Sequence, residues 1–436
     1  MKKIAIIGSG QAGCILSYAL VKRGYDVSLY SDKTPEQWLN HSAPTGTACL
    51  YAEVIDIERE LGMDFWSDDM FPAEGVLLES ARFASDPDAT VMRGRIEYGR
   101  RGGAIDQRLR IHRWLEDFEA IGGKLFFEAV TPERADTIAL EHDLTVLAAG
   151  KADLGRLIPR DERRSVYDRP QRNLAMTIVR SKSGKHVRDW FSERTPYSST
   201  KFDFFADSGE YFWVPYNHKT AGPTYGILFE AKEGSRLDRF GGSKSGEDVT
   251  EHARQIIREF APWEHHVADD MEYVSEDRHG WLVGRFAPMV RKPFGRLPSG
   301  GLIMPVGDTA ITFDPICGQG GNFASRSAKY LADEIAQRGD QPFDELWMTE
   351  VNLAMWEKYG RGGCELTQIF LEPPSPATKI VLDAARADER AADAYYYGFP
   401  HPESIIPALT DLNVAKSFAA QFDITQASKW VSYGRR

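Results

Sequence analysis

The opening residues constrain this chain more than any other part of it. Lys-Ile-Ala-Ile-Ile at 3–7 has the apolar run of a buried strand, and 11–23 then repeats Ile15, Leu16, Ala19 and Leu20 at helical spacing. Gly24 ends that helix, and 25–30 reads as a second strand. A strand, helix and strand in this order close by a right-handed crossover that leaves the strands parallel. Between the first strand and its helix stands Gly8-Ser9-Gly10-Gln11-Ala12-Gly13. The first glycine allows a tight turn, the second lets backbone approach a pyrophosphate, and the third lets the helix pack on the strand, with the anion at the helix N-terminus. The reading is a dinucleotide-binding α/β unit with Gly8, Gly10, Gln11, Ala12 and Gly13 at the phosphates. For the ribose ligand at the end of the second strand, the candidates are Ser31, which fills the usual acidic slot, and Asp32 beside it.

The remainder divides by pattern. Residues 106–120 read as helix, 124–127 and 143–149 as strands, and Gly150 closes the latter. From about 171 the chain changes to alternating runs at 174–179, 201–205, 211–214 and 224–229, the signature of a mostly antiparallel sheet. An apolar strand returns at 302–306, a helix follows over 320–338, and the rest is helical and Ala-rich, broken at Pro373, Pro374 and Pro376.

Composition excludes several classes. With 53 Lys and Arg against 64 Asp and Glu the formal charge is −11, which argues against nucleic acid or an anionic membrane as partner. Gly8, Gly10 and Gly13 interrupt the apolar run over 4–21, so it does not read as a signal segment, and no stretch of 18 apolar residues follows. The four cysteines lie far apart without metal-ligand spacing, so no disulfide framework or metal site is expected, and the chain reads as cytoplasmic. His265-His266 with Asp269 and Asp270 reads as a solvated face, since adjacent side chains diverge, and 241–245 reads as a surface loop rather than a phosphate loop.

A second pattern selects the dinucleotide. Val306-Gly307-Asp308 closes a strand, and 314–322 reads Asp-Pro-Ile-Cys-Gly-Gln-Gly-Gly-Asn ahead of a helix. Asp308 suits the ribityl hydroxyls of a flavin. In flavoproteins a turn of this kind aims helix N-terminal amides at the flavin pyrimidine edge, where the dipole stabilises a reduced, negatively charged ring; Pro315, Gly318, Gln319, Gly320, Gly321 and Asn322 would form it here.

Together these motifs resemble the FAD-dependent aromatic hydroxylase superfamily, and within it the oxygenase component of two-component styrene and indole monooxygenases. Supporting segments are 2–13, 27–36, 106–109, 122–124, 150–155 and 307–325; the resemblance is strongest in the FAD-binding segments and thin from about 180 to 300. It implies a Rossmann-like α/β fold of the aromatic hydroxylase type: an FAD-binding domain over 1–75, 100–165 and 276–330, an inserted mixed, mostly antiparallel substrate domain over 76–99 and 166–275, and a helical region over 331–436. It implies FAD as cofactor, with Arg108 reaching toward the phosphate or ribityl region. The stretch from Gly150 through Arg156 lacks the Asp-Gly pair of single-component hydroxylases, so a separate NAD(P)H-dependent flavin reductase is the expected source of reduced FAD. With O2 the reduced flavin would form a C4a-hydroperoxyflavin that epoxidises or hydroxylates a small aromatic or heteroaromatic substrate, in a dry pocket and with no acid–base side chain required. Phe202, Phe204, Tyr211, Trp213 and Pro215 are either the wall of that pocket or sheet core. A homodimer is left open. Cys317 reads as a small buried group in the flavin turn, and 46–53 departs from the styrene enzymes. The alternatives are a flavin-dependent halogenase and a non-catalytic escort or regulatory protein on the same nucleotide fold.

Overall fold

The computed structural model describes residues 2–44, 49–81, 90–150 and 153–422. Among them, two large sheets dominate. The first has six strands in the order Gly295–Arg296, Leu302–Pro305, Leu144–Leu147, Lys3–Ile7, Asp26–Ser31, Lys124–Phe127. All neighbours are parallel except the short Gly295–Arg296 edge. Both faces are covered, which is why Ile4–Ile7 is a continuous buried apolar run rather than an alternating one. Ile4 and Ile6 face the helices Gln11–Val21, Gln107–Phe118 and Gln319–Arg338. Ala5 and Ile7 face the helix Pro132–Glu141 through Ala135 and Ile138.

The second sheet has nine strands, ordered Met271–Tyr273, Asn173–Ser181, Gly222–Ala231, Gly209–His218, Ser199–Phe205, Gly75–Ala81, Thr90–Arg95 along its main path. It is mostly antiparallel, with Gly75–Ala81 running parallel to Ser199–Phe205. It also takes Ala104–Ile105 and Trp281–Gly284, which the sequence reading placed in the FAD-binding segments. These short strands lacked a pattern of their own; pairing across the chain decides where they belong.

Alternation splits this sheet into two different faces. Tyr211, Trp213, Tyr225, Ile227 and Phe229 pack under the helix Gly246–Phe260. Phe202, Phe212, Val214, Met176 and Ile178 point the other way, against Ile316 and Cys317 and the helices Pro376–Ala387 and Glu389–Tyr397. Those C-terminal helices start on the side-chain caps Ser375 and Asp388, so local sequence sets their ends before packing sets their place. No described helix is long and apolar enough to cross a membrane.

Candidate flavin site

The first turn is built as its residues require. Gly8 sits at φ +112°, where a Cβ would stand 2.4 Å from the Ala148 carbonyl oxygen, so only glycine fits there. At Gly10, by contrast, a Cβ would meet nothing within 4 Å. The protein itself therefore leaves this position open, as a site for an approaching phosphate must be.

The second turn meets the first. Gln11 Nε2 donates to the Gly321 carbonyl at 2.7 Å and to Ser325 Oγ at 2.6 Å, while Arg110 donates to Gln11 Oε1 at 3.1 Å. Arg110 is itself ion-paired with the buried Glu58. A Cβ on Gly307 would lie 2.7 Å from that of Ala12, so the Gly-Asp step rests directly on the first helix. The half-buried Asp308 lies over the start of the long helix, its Oδ1 3.5 Å from where a Gly320 Cβ would be. Thr309 Oγ1 donates to the Gly150 carbonyl at 3.3 Å, which brings the end of the 144–147 strand into the same cluster.

The two helices that begin here share one feature. Gln11–Val21 and Gln319–Arg338 start at Gly10 and Gly318 with no side-chain cap and no acidic residue in the first turn. Elsewhere Thr34, Asp106, Thr131, Ser245, Asp344 and Ser375 cap their helices, while those that start at Tyr51, Glu264, Gly360 and His401 also lack a side-chain cap. Uncapped N–H groups and a positive dipole end suit an external acceptor. The donor set fits FAD: one N-terminus for the pyrophosphate, a carboxylate between, and a second N-terminus for the electron-rich ring edge.

Several sequence candidates have other duties. Arg108 is fully buried and gives two hydrogen bonds to Asp106, at 2.9 and 2.7 Å, with Asp277 Oδ2 at 2.6 Å. The N-cap carboxylate two residues before it captures the guanidinium; against the cost of burial, the hydrogen bond with His218 and then the bond and charge of Arg108 hold Asp277 well below the usual carboxylate range. Ser31 is buried, its Oγ 2.7 Å from Ser9 Oγ, while Asp32 is exposed and paired with Lys33 at 2.6 Å. Gln319 donates to the carbonyls of Cys317 and Phe399, and so ties the turn to the C-terminal helices. Asn322 accepts from the Tyr51 amide at 2.8 Å and donates to the carbonyls of Cys49 and Gly318. Pro315 opens the turn Pro315–Cys317, capped by Asp314. Burial pushes the Cys317 thiol far up, so it stays protonated.

The aromatic candidates separate by face. Phe202 and Phe204 lie on the side of the sheet that meets Cys317. Tyr211 and Trp213 lie on the opposite side, under the helix Gly246–Phe260, and Pro215 follows them in the alternation. As pocket wall these three are corrected to core; Phe212, between Tyr211 and Trp213, lies instead on the face that meets Cys317. Tyr51 was missed as well: its hydroxyl donates to the Cys317 carbonyl at 3.1 Å. Only tertiary contact reveals it, because 49–51 joins no long strand.

The remaining sequence candidates stay outside the site. His265 and His266 contact backbone carbonyls of Arg258 and Trp190, and Asp269 pairs with Arg258. Glu79, Asp203 and Glu264 face one another on the far side of the second sheet, with the Lys201 ammonium already between them. A cavity of about 510 Å³ between Ala43, the start of Gly246–Phe260 and Trp281 touches neither glycine turn.

Comparison with known proteins gives sequence relatives and fold neighbours. Residues 150–266 match the family model described as "Styrene monooxygenase A putative substrate binding domain". The styrene monooxygenase StyA of a Pseudomonas species is 25% identical over 343 residues, 77% of each chain, and StyA of Pseudomonas fluorescens matches equally. The chain is thus similar to the styrene monooxygenases over most of its length. Its family match falls largely where the sequence resemblance looked thinnest, on the second sheet. In fold, the chain also resembles a flavoprotein/dehydrogenase of Cytophaga hutchinsonii, with TM-score 0.64, 14% identity, and 97% and 98% of the two chains covered. The halogenase PltM in complex with phloroglucinol and FAD gives TM-score 0.60 at 14% identity, covering 96% and 85%.

Proposed function

We propose that this chain is the oxygenase of a two-component system. It takes reduced FAD from a separate NAD(P)H-dependent flavin reductase and, with O2, transfers one oxygen atom to a small aromatic or heteroaromatic substrate of the styrene or indole kind. The observation that carries this reading is the junction of the two glycine turns through Gln11, Gly321 and Ser325, which sets two uncapped helix N-termini around Asp308.

Reduced FAD with O2 supplies the electrophilic oxygen. The chain's residues supply the setting. The amides after Gly10 bind the pyrophosphate, Asp308 accepts from the ribityl hydroxyls, and the amides after Gly318 stabilise negative charge on the reduced ring. Phe202, Phe204 and Phe212 face Ile316 and Cys317 and keep water from the reacting edge. No step asks a side chain to move a proton to the substrate.

The test supplies chemically reduced FAD and air, with styrene, indole or a thioether present, and analyses the products. Oxygenated product with at least one of the three is the expected result. No product and no flavin bound would overturn the reading. Halogenated product that depends on added chloride or bromide would favour a halogenase. Direct NADPH oxidation by the pure protein would remove the separate reductase.

A further inference from the structure

A buried group of charged residues lies beneath the second turn and has no part in the chemistry described so far. Glu210 and Glu230 are directly opposed on neighbouring strands, on the face that also carries Phe212 and Leu228. Asp314 joins them from the turn itself, where it caps Pro315–Cys317 and accepts from the Ile316 amide. Exposure is 3% at Glu210, 0% at Glu230 and 3% at Asp314. The cation placed among them is Arg172, 8% exposed, whose Nε donates to Glu210 at 2.7 Å.

One guanidinium does not balance three buried carboxylates. Like charges directly opposed across strands repel, and an uncompensated buried charge takes up a proton rather than remain ionised. Glu210 has its arginine, and Asp314 has the Ile316 amide and lies in the field of Arg172. Neither oxygen of Glu230 meets an N–H or hydroxyl donor, and the carboxyl set against it is that of Asp314. Two carboxyl groups in that relation hold together only through a proton between them.

We propose that Glu230 is a carboxylic acid at neutral pH whose O–H donates to Asp314, and that this bond positions the 314–318 turn to receive FAD. Glu230 is thus a positioning residue, acting through Asp314 on the start of the Gln319–Arg338 helix. Burial, then the charges of Asp314 and Glu210, push Glu230 well above the usual carboxylate range, in keeping with that assignment. The other ionisable groups facing the cluster are Cys317, in the field of Asp314, Glu230 and Glu210 and kept protonated by burial, Tyr167, in the field of Asp314 and Arg172, and Lys232, in the field of Glu210. When Glu230 loses its proton at alkaline pH, it and Asp314 repel across the turn and the site loosens.

The proposal rests on the FAD reading, and its test separates the two. FAD affinity of the whole protein is measured by quenching of flavin fluorescence across a pH series, for the natural chain and for Glu230→Gln. The natural chain should lose about tenfold in affinity per pH unit once above the titration of the pair, as one linked proton requires. Glu230→Gln, whose amide donates to Asp314 at every pH, should abolish that dependence, and Glu230→Leu should weaken binding throughout. In the infrared, the natural chain should show a protonated-carboxyl band that is absent from Glu230→Gln. Parallel pH curves in both proteins, or no such band at neutral pH, would overturn the proposal. A natural chain that binds no FAD at any pH would instead sink the FAD reading, while the infrared band would still decide the state of Glu230. Should Glu230→Gln not fold, loss of the band on alkaline titration of the natural chain, read against Asp314→Asn, decides in its place.

Discussion

At the scale of single residues, the two glycines of the first turn make opposite predictions. Gly8→Ala places a Cβ against the Ala148 carbonyl at positive φ, and it should cost roughly 1–3 kcal/mol of stability whether or not FAD is present. Gly10→Ala meets nothing in the protein, so its melting temperature without FAD should match that of the natural chain, while FAD affinity falls at least tenfold. Thermal melting with and without FAD checks both; a large loss of apo stability in Gly10→Ala would show that the open space serves the fold and not a ligand. Arg108→Ala should behave differently again. It leaves Asp106 buried without its cation, while Asp277 keeps Lys219 and His218, a loss of about 3–5 kcal/mol, so a melting temperature within a degree of the natural one would contradict the pairing seen here. The glycines were legible in sequence because backbone geometry restricts which residue can occupy a turn. Arg108 was misread because a basic residue at a helix start looks the same whether it faces a phosphate or a neighbouring aspartate.

At the scale of elements, the long helix is tied to the 49–51 segment by Asn322, whose side chain makes three hydrogen bonds. Asn322→Ala should lower stability by roughly 1–3 kcal/mol, because the Tyr51 amide and Cys49 carbonyl lose their partner, and should weaken FAD binding in step. Unchanged flavin affinity in a destabilised variant would limit Asn322 to the fold. The aromatic strand 209–218 offers a paired test. Trp213→Ala empties the core beneath the Gly246–Phe260 helix and should cost about 3–5 kcal/mol while leaving product distribution alone. Phe212→Ala should do the reverse, altering product distribution with the smaller stability loss. If Trp213 controls products, the assignment of faces is wrong. The strands were visible in the sequence, since their alternation is a local property. Which face meets the flavin turn was not, because alternation defines two faces and is silent about their neighbours.

For the whole molecule, buried carboxyls set the response to pH. Burial pushes Glu58, Asp203 and Glu210 up to about 7. A group raised in the folded state contributes stability below its unfolded value and loses it as pH rises through the folded one. Asp270 works in the opposite sense: hydrogen bonds from Ser181 and Trp190 outweigh its desolvation and lower it to about 2, so its contribution is present above the ordinary aspartate range and lost in acid. The melting temperature should therefore fall as pH rises from about 4.5 to just above 7, and Glu58→Gln should remove part of that slope. A flat profile over this range would mean that the buried ion pairs, Arg110 with Glu58 and Arg172 with Glu210, hold their carboxylates ionised throughout. None of these carboxyls stood out in the sequence, because a lone Glu within an apolar strand shows neither its burial nor its partner.

The sequence by itself determined the parallel strand and helix unit, both glycine turns and the helical C-terminal region, since these rest on spacing and on conformations that few residues can adopt. Tertiary structure alone decided that Gln11 joins the two turns, that Arg108 serves aspartates, that Tyr211 and Trp213 lie away from the flavin turn, and that Glu230 meets Asp314. Those outcomes depend on contacts between residues that the chain separates by anything from two positions to more than three hundred, and on competition among partners for each polar group. Local propensity specifies what an element can be, whereas the partner of a buried charge is chosen only when the elements pack.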